Sequence, residues 1–124
     1  MLTILPAQME ALTDATFVRR LLVDLNAQFG DHLPSDDQNI LRARLHEGVA
    51  RGRSHGLTWV SSLGAFAIAQ TILGAGFDKE PFIARVLTHP RLPPNRRMEL
   101  LLAVAGPATW QEAKRRADAR LGQP

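Results

Sequence analysis

Residues 54–77 read SHGLTWVSSLGAFAIAQTILGAGF, and the architecture expected for the whole chain depends on this stretch. It carries no formal charge over more than twenty residues, although charged residues flank it on both sides. Its periodicity predicts a helix from Trp59 to about Leu73, with Thr58 as the N-cap. Large apolar residues surround the axis of this helix. We therefore expect it to be the central element of a bundle, because exposed apolar patches on soluble proteins are small.

Two helices are expected before this stretch. The first runs from about Pro6 or Ala7 to Phe29, because proline suits a first turn and a glycine follows the last apolar residue. The second begins after Ser35, which forms a capping box with Gln38.

The second predicted helix ends at Gly56, a natural left-handed C-terminal residue. Its arginines, Arg51 among them, are expected to face water. The residues expected to point inward are Ile40, Leu41, Leu45 and Val49.

Three shorter helices are expected after the apolar stretch. Asp78 is the predicted N-cap of the fourth, Pro93-Pro94 opens the fifth, and Thr109 with Glu112 caps the last one. The fifth helix is expected to turn inward Met98, Leu101, Leu102 and Val104.

The predicted fold class is all-α: a compact bundle of five to six helices around a central apolar helix. A length of 124 residues suits a single domain, 1–124, and 45% hydrophobic residues can form a core. The last helix, about 109–121, is expected at the periphery because it has few apolar anchors. No alternating pattern with a hairpin turn favours strands.

Composition and the N-terminal sequence together predict a cytoplasmic protein without a membrane segment. The chain has no cysteine, which suits a reducing compartment. Its first residues lack the basic region and the continuous apolar run of a signal peptide. The apolar stretch itself is too short to span a bilayer.

Positive charge is concentrated at the C-terminal end. The net charge is only +3, but residues 91–124 carry seven basic residues against three acidic ones. This end could contact phosphates, although the helix placed like a recognition helix offers no Arg, Lys or Asn to read bases. A solvated helix face is the simpler interpretation. The candidate basic patch consists of Arg96, Arg97, Lys114, Arg115, Arg116 and Arg120.

Motifs for catalysis, metal binding or cofactor binding are absent from the sequence. None of the four histidines has a second histidine at helical spacing, and His55 is explained as a partner of a helix dipole. No dinucleotide, Walker or nucleophile-elbow motif occurs, and Gly74-Ala75-Gly76 is too short to hold a phosphate. We predict no catalytic residue, no metal and no cofactor, and hence a non-enzymatic protein.

A set of elements follows in a fixed order along residues 5–105: Phe29, His55-Gly56, Gly74-Ala75-Gly76-Phe77-Asp78, Phe82 and Arg97-Met98. In their order and spacing they resemble small helical proteins encoded beside effectors and spike components in bacterial type VI secretion clusters. The resemblance implies an adaptor or chaperone for a secreted effector, or alternatively an immunity protein that neutralises a cognate toxin.

The leading function is therefore a protein–protein interaction module. Its expected docking surface combines the apolar helix with the aromatic-bearing segment after it, since aromatic and arginine side chains dominate binding hot spots. The alternative for its two phenylalanines is a place in the core. Open surface at Val60, Ile68 or Ile72 would favour a homodimer or a tight hetero-complex. The predicted partner-binding residues are Trp59, Phe77, Asp78, Phe82 and Arg85.

Overall fold

The computed structural model describes residues 14–106 and 109–115, without the side chain of His32. Within these ranges the chain is all-helical and has no strand, which confirms the predicted class. Residues 109–115 form the described part of α6. Two 3-10 turns, Gly30–His32 and Phe77–Lys79, lie in the connections. The other helices are α1 (Asp14–Phe29), α2 (Gln38–Ser54), α3 (Val60–Leu73), α4 (Pro81–Leu87) and α5 (Pro94–Val104).

The predicted end of the first helix is confirmed. Helix α1 ends at Phe29, and the predicted start near Pro6 lies outside the described residues. Its buried side chains recur at helical spacing, so one face of α1 enters the core. They are Phe17, Val18, Leu21, Leu22 and Leu25.

The start of α2 corrects two predictions. Asp37 is the N-cap, and its carboxylate accepts a hydrogen bond from the Asn39 N–H at 2.9 Å. Ser35 instead accepts from the Asp37 N–H at 3.0 Å, so the predicted capping box is wrong. Ile40 is 44% exposed rather than inward, because it lies about 100° around the helix from the buried Leu41.

Helices α2 and α3 form the closest helix pair. Gly48 makes this approach possible, because a Cβ atom there would lie 2.7 Å from the Ala67 Cα. A Cβ atom at Gly52 would likewise come close to the side chains of Leu63 and Phe66 in α3. We call this side of α3 its closed face: Leu63, Phe66 and Ala67, all buried against α2.

The start of α3 is held by another helix. Thr58 is not its N-cap, and Trp59 at the cap position makes no side-chain capping bond. The Asn95 Oδ1 atom of α5 accepts from the N–H groups of Thr58 and Trp59 at 3.0 and 2.9 Å. Asn95 Nδ2 donates to Thr58 Oγ1 at 3.0 Å. This distant side chain therefore supplies the acceptor that Thr58 was expected to provide.

The predicted central position of α3 is not confirmed. The helix packs against α2, α5 and α1. Its remaining side, which we call the open face, is only half-buried and consists of Ala65, Ile68, Ala69 and Ile72.

The later helices confirm some predicted positions and correct others. Asp78 is not an N-cap, since it lies in a 3-10 turn and α4 begins at Pro81. Met98 and Leu101 of α5 are buried as expected, whereas Leu102 is 52% exposed. Val104 is exposed as well. In α6 the Trp110 side chain is half-buried, and the predicted part of this helix after residue 115 lies outside the described residues.

Candidate functional site

An apolar groove of about 630 Å³ lies along the open face of α3. Its floor follows the spacing i, i+3, i+4 and i+7, which places four side chains on one stripe of the helix. The end of α1, one residue of α5 and the first turns of α6 form its walls. The lining residues are Gln28, Phe29, Ala65, Ile68, Ala69, Ile72, Leu73, Leu102, Trp110, Gln111 and Lys114.

The shape of the groove follows from side-chain size. Ala65 and Ala69 are small and leave depth at the floor, while Phe29, Leu102 and Trp110 are large and form walls. Among the described residues of the lining, Lys114 alone carries a formal charge. Such a surface can take up apolar side chains and offers few groups that could orient a polar solute.

The predicted partner-binding residues are not brought together on one surface. Phe77 is fully buried and Asp78 nearly so, which places both inside the domain. Phe82 is 38% exposed and shares a smaller cleft of about 290 Å³ with Arg85. Trp59 is half-buried at the start of α3 and lines neither cleft. The centre of its ring lies 5.1 Å from the guanidinium carbon of Arg96.

Asp78 is the centre of a buried polar cluster that joins α2 to the turn after α3. Its Oδ2 atom lies 2.8 Å from Arg51 Nε and 2.7 Å from His55 Nε2. Its Oδ1 atom is buried and has no hydrogen-bond partner among the described residues. The prediction that Arg51 points only to water is corrected by this contact.

Three rings connect the Asp78 cluster to the closed face of α3. The His55 ring lies 5.3 Å from the Phe66 ring, which lies 5.0 Å from the Phe77 ring. Tilted pairs at these distances are favourable arrangements of aromatic rings. The cluster therefore lies at one end of the contact between α2 and α3 and covers it.

Burial alone would raise the pKa of the Asp78 carboxyl, but its neighbours outweigh this effect. Hydrogen bonds from His55 and Arg51, together with the positive charge beside them, leave the pKa below its ordinary value. The carboxylate thus stays ionised in the folded protein near neutral pH. Its side chain is 1% exposed and so cannot contact a solute, which makes its role the anchoring of the turn.

The Asp78 cluster was not predicted from the sequence, although one part of it shows a recognisable spacing. Arg51 and His55 are four residues apart, so they share a face at the end of α2. Nothing local indicates that Asp78, 23 residues after His55, meets that face.

The predicted basic patch is largely engaged in internal contacts. Arg97 Nε donates to the carbonyl oxygens of His89 and Leu92, at 2.8 and 2.7 Å. Two exposed arginines, Arg96 and Arg115, pair with glutamates three residues away on their own helices. The remaining members are Lys114 in the groove lining and, outside the described residues, Arg116 and Arg120.

Two further features are absent from the described ranges. They contain no group of three or more His, Asp or Glu side chains that could hold a metal ion. None of the helices in these ranges combines the length and hydropathy that crossing a membrane requires.

No family of known proteins, no curated protein and no solved structure matches this chain. The likeness to type VI secretion proteins therefore depends on the quoted residues alone. Several of them hold the fold together: His55 meets Asp78, and Arg97 holds the turn between α4 and α5. Phe29 lies instead in the wall of the groove.

Proposed function

We propose that this protein is a non-enzymatic interaction module that holds a segment of a partner protein in the α3 groove. In keeping with the resemblance, the partner is a secreted type VI effector, for which this chain serves as adaptor or chaperone. The observation that carries the proposal is the apolar groove of about 630 Å³ on the open face.

The groove supports this function because it combines apolar surface with depth. Leu102 exposes half of its surface at the rim, and Ile68 and Ile72 are covered only in part. Burial of apolar surface contributes about 25 cal/mol per Å², so a partner segment that covers these side chains is stabilised mainly by the hydrophobic effect. Large concave apolar surfaces mark binding sites in soluble proteins.

The same surface suits the alternative, an immunity protein that covers part of a toxin. A nucleic-acid partner has less support, because the described arginines of the basic patch make contacts within the domain.

The test is co-expression with the products of the neighbouring genes, followed by purification through a tag on this chain. We expect a stoichiometric complex with one neighbour-encoded protein. Leu102→Asp should remove that complex, because it places a charge at the groove rim. Val23→Asp is the matched control, since Val23 is 64% exposed on α1 and does not line the groove.

Capture of the same protein by both variants, in equal amounts, would show that the groove is not the binding site. The role then follows from the partner's behaviour. An effector that is unstable or not loaded without this chain indicates an adaptor or chaperone. A toxin that this chain inactivates indicates an immunity protein.

A further inference from the structure

We draw no further inference here: the strongest candidate, the apolar groove along the open face of α3, carries none beyond the proposed function, because nothing in the described ranges shows what covers it.

Discussion

The two faces of α3 are made from similar residues and have different surroundings. The closed face buries Phe66 and Ala67 against α2, while the open face leaves Ile68 and Ala69 half-covered in the groove. Both combine large apolar side chains with small ones. The difference is the neighbour: Gly48 brings α2 into contact with the closed face, and no described helix approaches the open face as closely.

This comparison shows that a small residue has opposite effects in the two places. Ala67 allows α2 to approach until Gly48 lies against the Ala67 backbone, so here the small side chain permits close packing. Ala69, on the opposite side of the same helix, leaves the depth of the groove unfilled. Substitutions on and beside the two faces test whether this contrast governs stability.

The largest effect is expected for Leu63→Ala on the closed face. Leu63 is buried against α2, and its truncation should lower the free energy of unfolding by about 2–5 kcal/mol because a cavity remains. Ile72→Ala removes the same number of carbon atoms from the open face and should cost roughly 1–2 kcal/mol, since part of that side chain already faces the groove. Urea unfolding of both variants measures the difference. Equal costs would remove the contrast between the faces.

Asp78→Asn tests the polar cluster at the end of the closed face. The neutral amide loses the charge-assisted contacts to Arg51 and His55, and we expect a loss of about 1.5–3 kcal/mol at neutral pH. Asp14→Asn is the control, because the Asp14–Arg53 pair is exposed on both sides and should contribute at most about 1 kcal/mol. Similar losses in both variants would contradict a special role of burial at Asp78.

The pH dependence of the same variant has a defined sign. The folded pKa of Asp78 lies below its unfolded value of about 3.9, so its stabilisation is complete above that value. It is lost as the pH falls through the lower folded pKa, because the carboxylate then takes up a proton in both states. Between pH 7 and pH 3, the stability difference between wild type and Asp78→Asn should therefore shrink on the acid side. A difference that grows toward acid would contradict this assignment.

Gly48→Ala tests the closest point of contact between α2 and α3. Alanine favours a helix over glycine by up to about 1 kcal/mol, which alone would stabilise the protein. Its Cβ would lie 2.7 Å from the Ala67 Cα, however, and the backbone must shift. We expect this overpacking to cost about 1–3 kcal/mol and to outweigh the gain. A rise in the thermal midpoint would instead show that α2 can move away from α3 without penalty.

The smallest effect is expected for Leu102→Asp at the rim of the groove. Leu102 is already half-exposed, so the free energy of unfolding should change by no more than about 0.5 kcal/mol. Val23→Asp should behave alike, and circular dichroism with urea unfolding compares the two. A loss of several kcal/mol for Leu102→Asp alone would mean that the rim belongs to the core rather than to a binding surface.

Much of the helix pattern was predictable, because its signals are local. Helix α1 ends at Phe29 before a glycine, α2 ends before the left-handed Gly56, and α5 begins at Pro94. Proline and glycine act through their own backbone angles, so these ends need no distant partner. Part of the candidate site was also predictable. Open surface at Val60, Ile68 or Ile72 was one expectation beside that of a buried central helix, and Ile68 and Ile72 line the groove whereas Val60 does not.

The N-caps were less predictable, because several residues compete at each helix start. Asp37 caps α2 two residues after Ser35, and both side chains are good acceptors. At α3 the acceptor is the Asn95 side chain, which belongs to a helix more than thirty residues further along the chain. A capping residue chosen from the local sequence cannot anticipate such a contact.

The all-α class, the ends of several helices and the apolar stretch that forms α3 can all be read from local sequence patterns. Which face of α3 is closed, the burial of Asp78 between Arg51 and His55, and the place of Leu102 at the rim of a groove depend on how the helices pack. These two kinds of information act over different distances along the chain. Backbone preferences and helical periodicity act over about four residues, whereas burial depends on which helices meet, and those helices are distant in the chain.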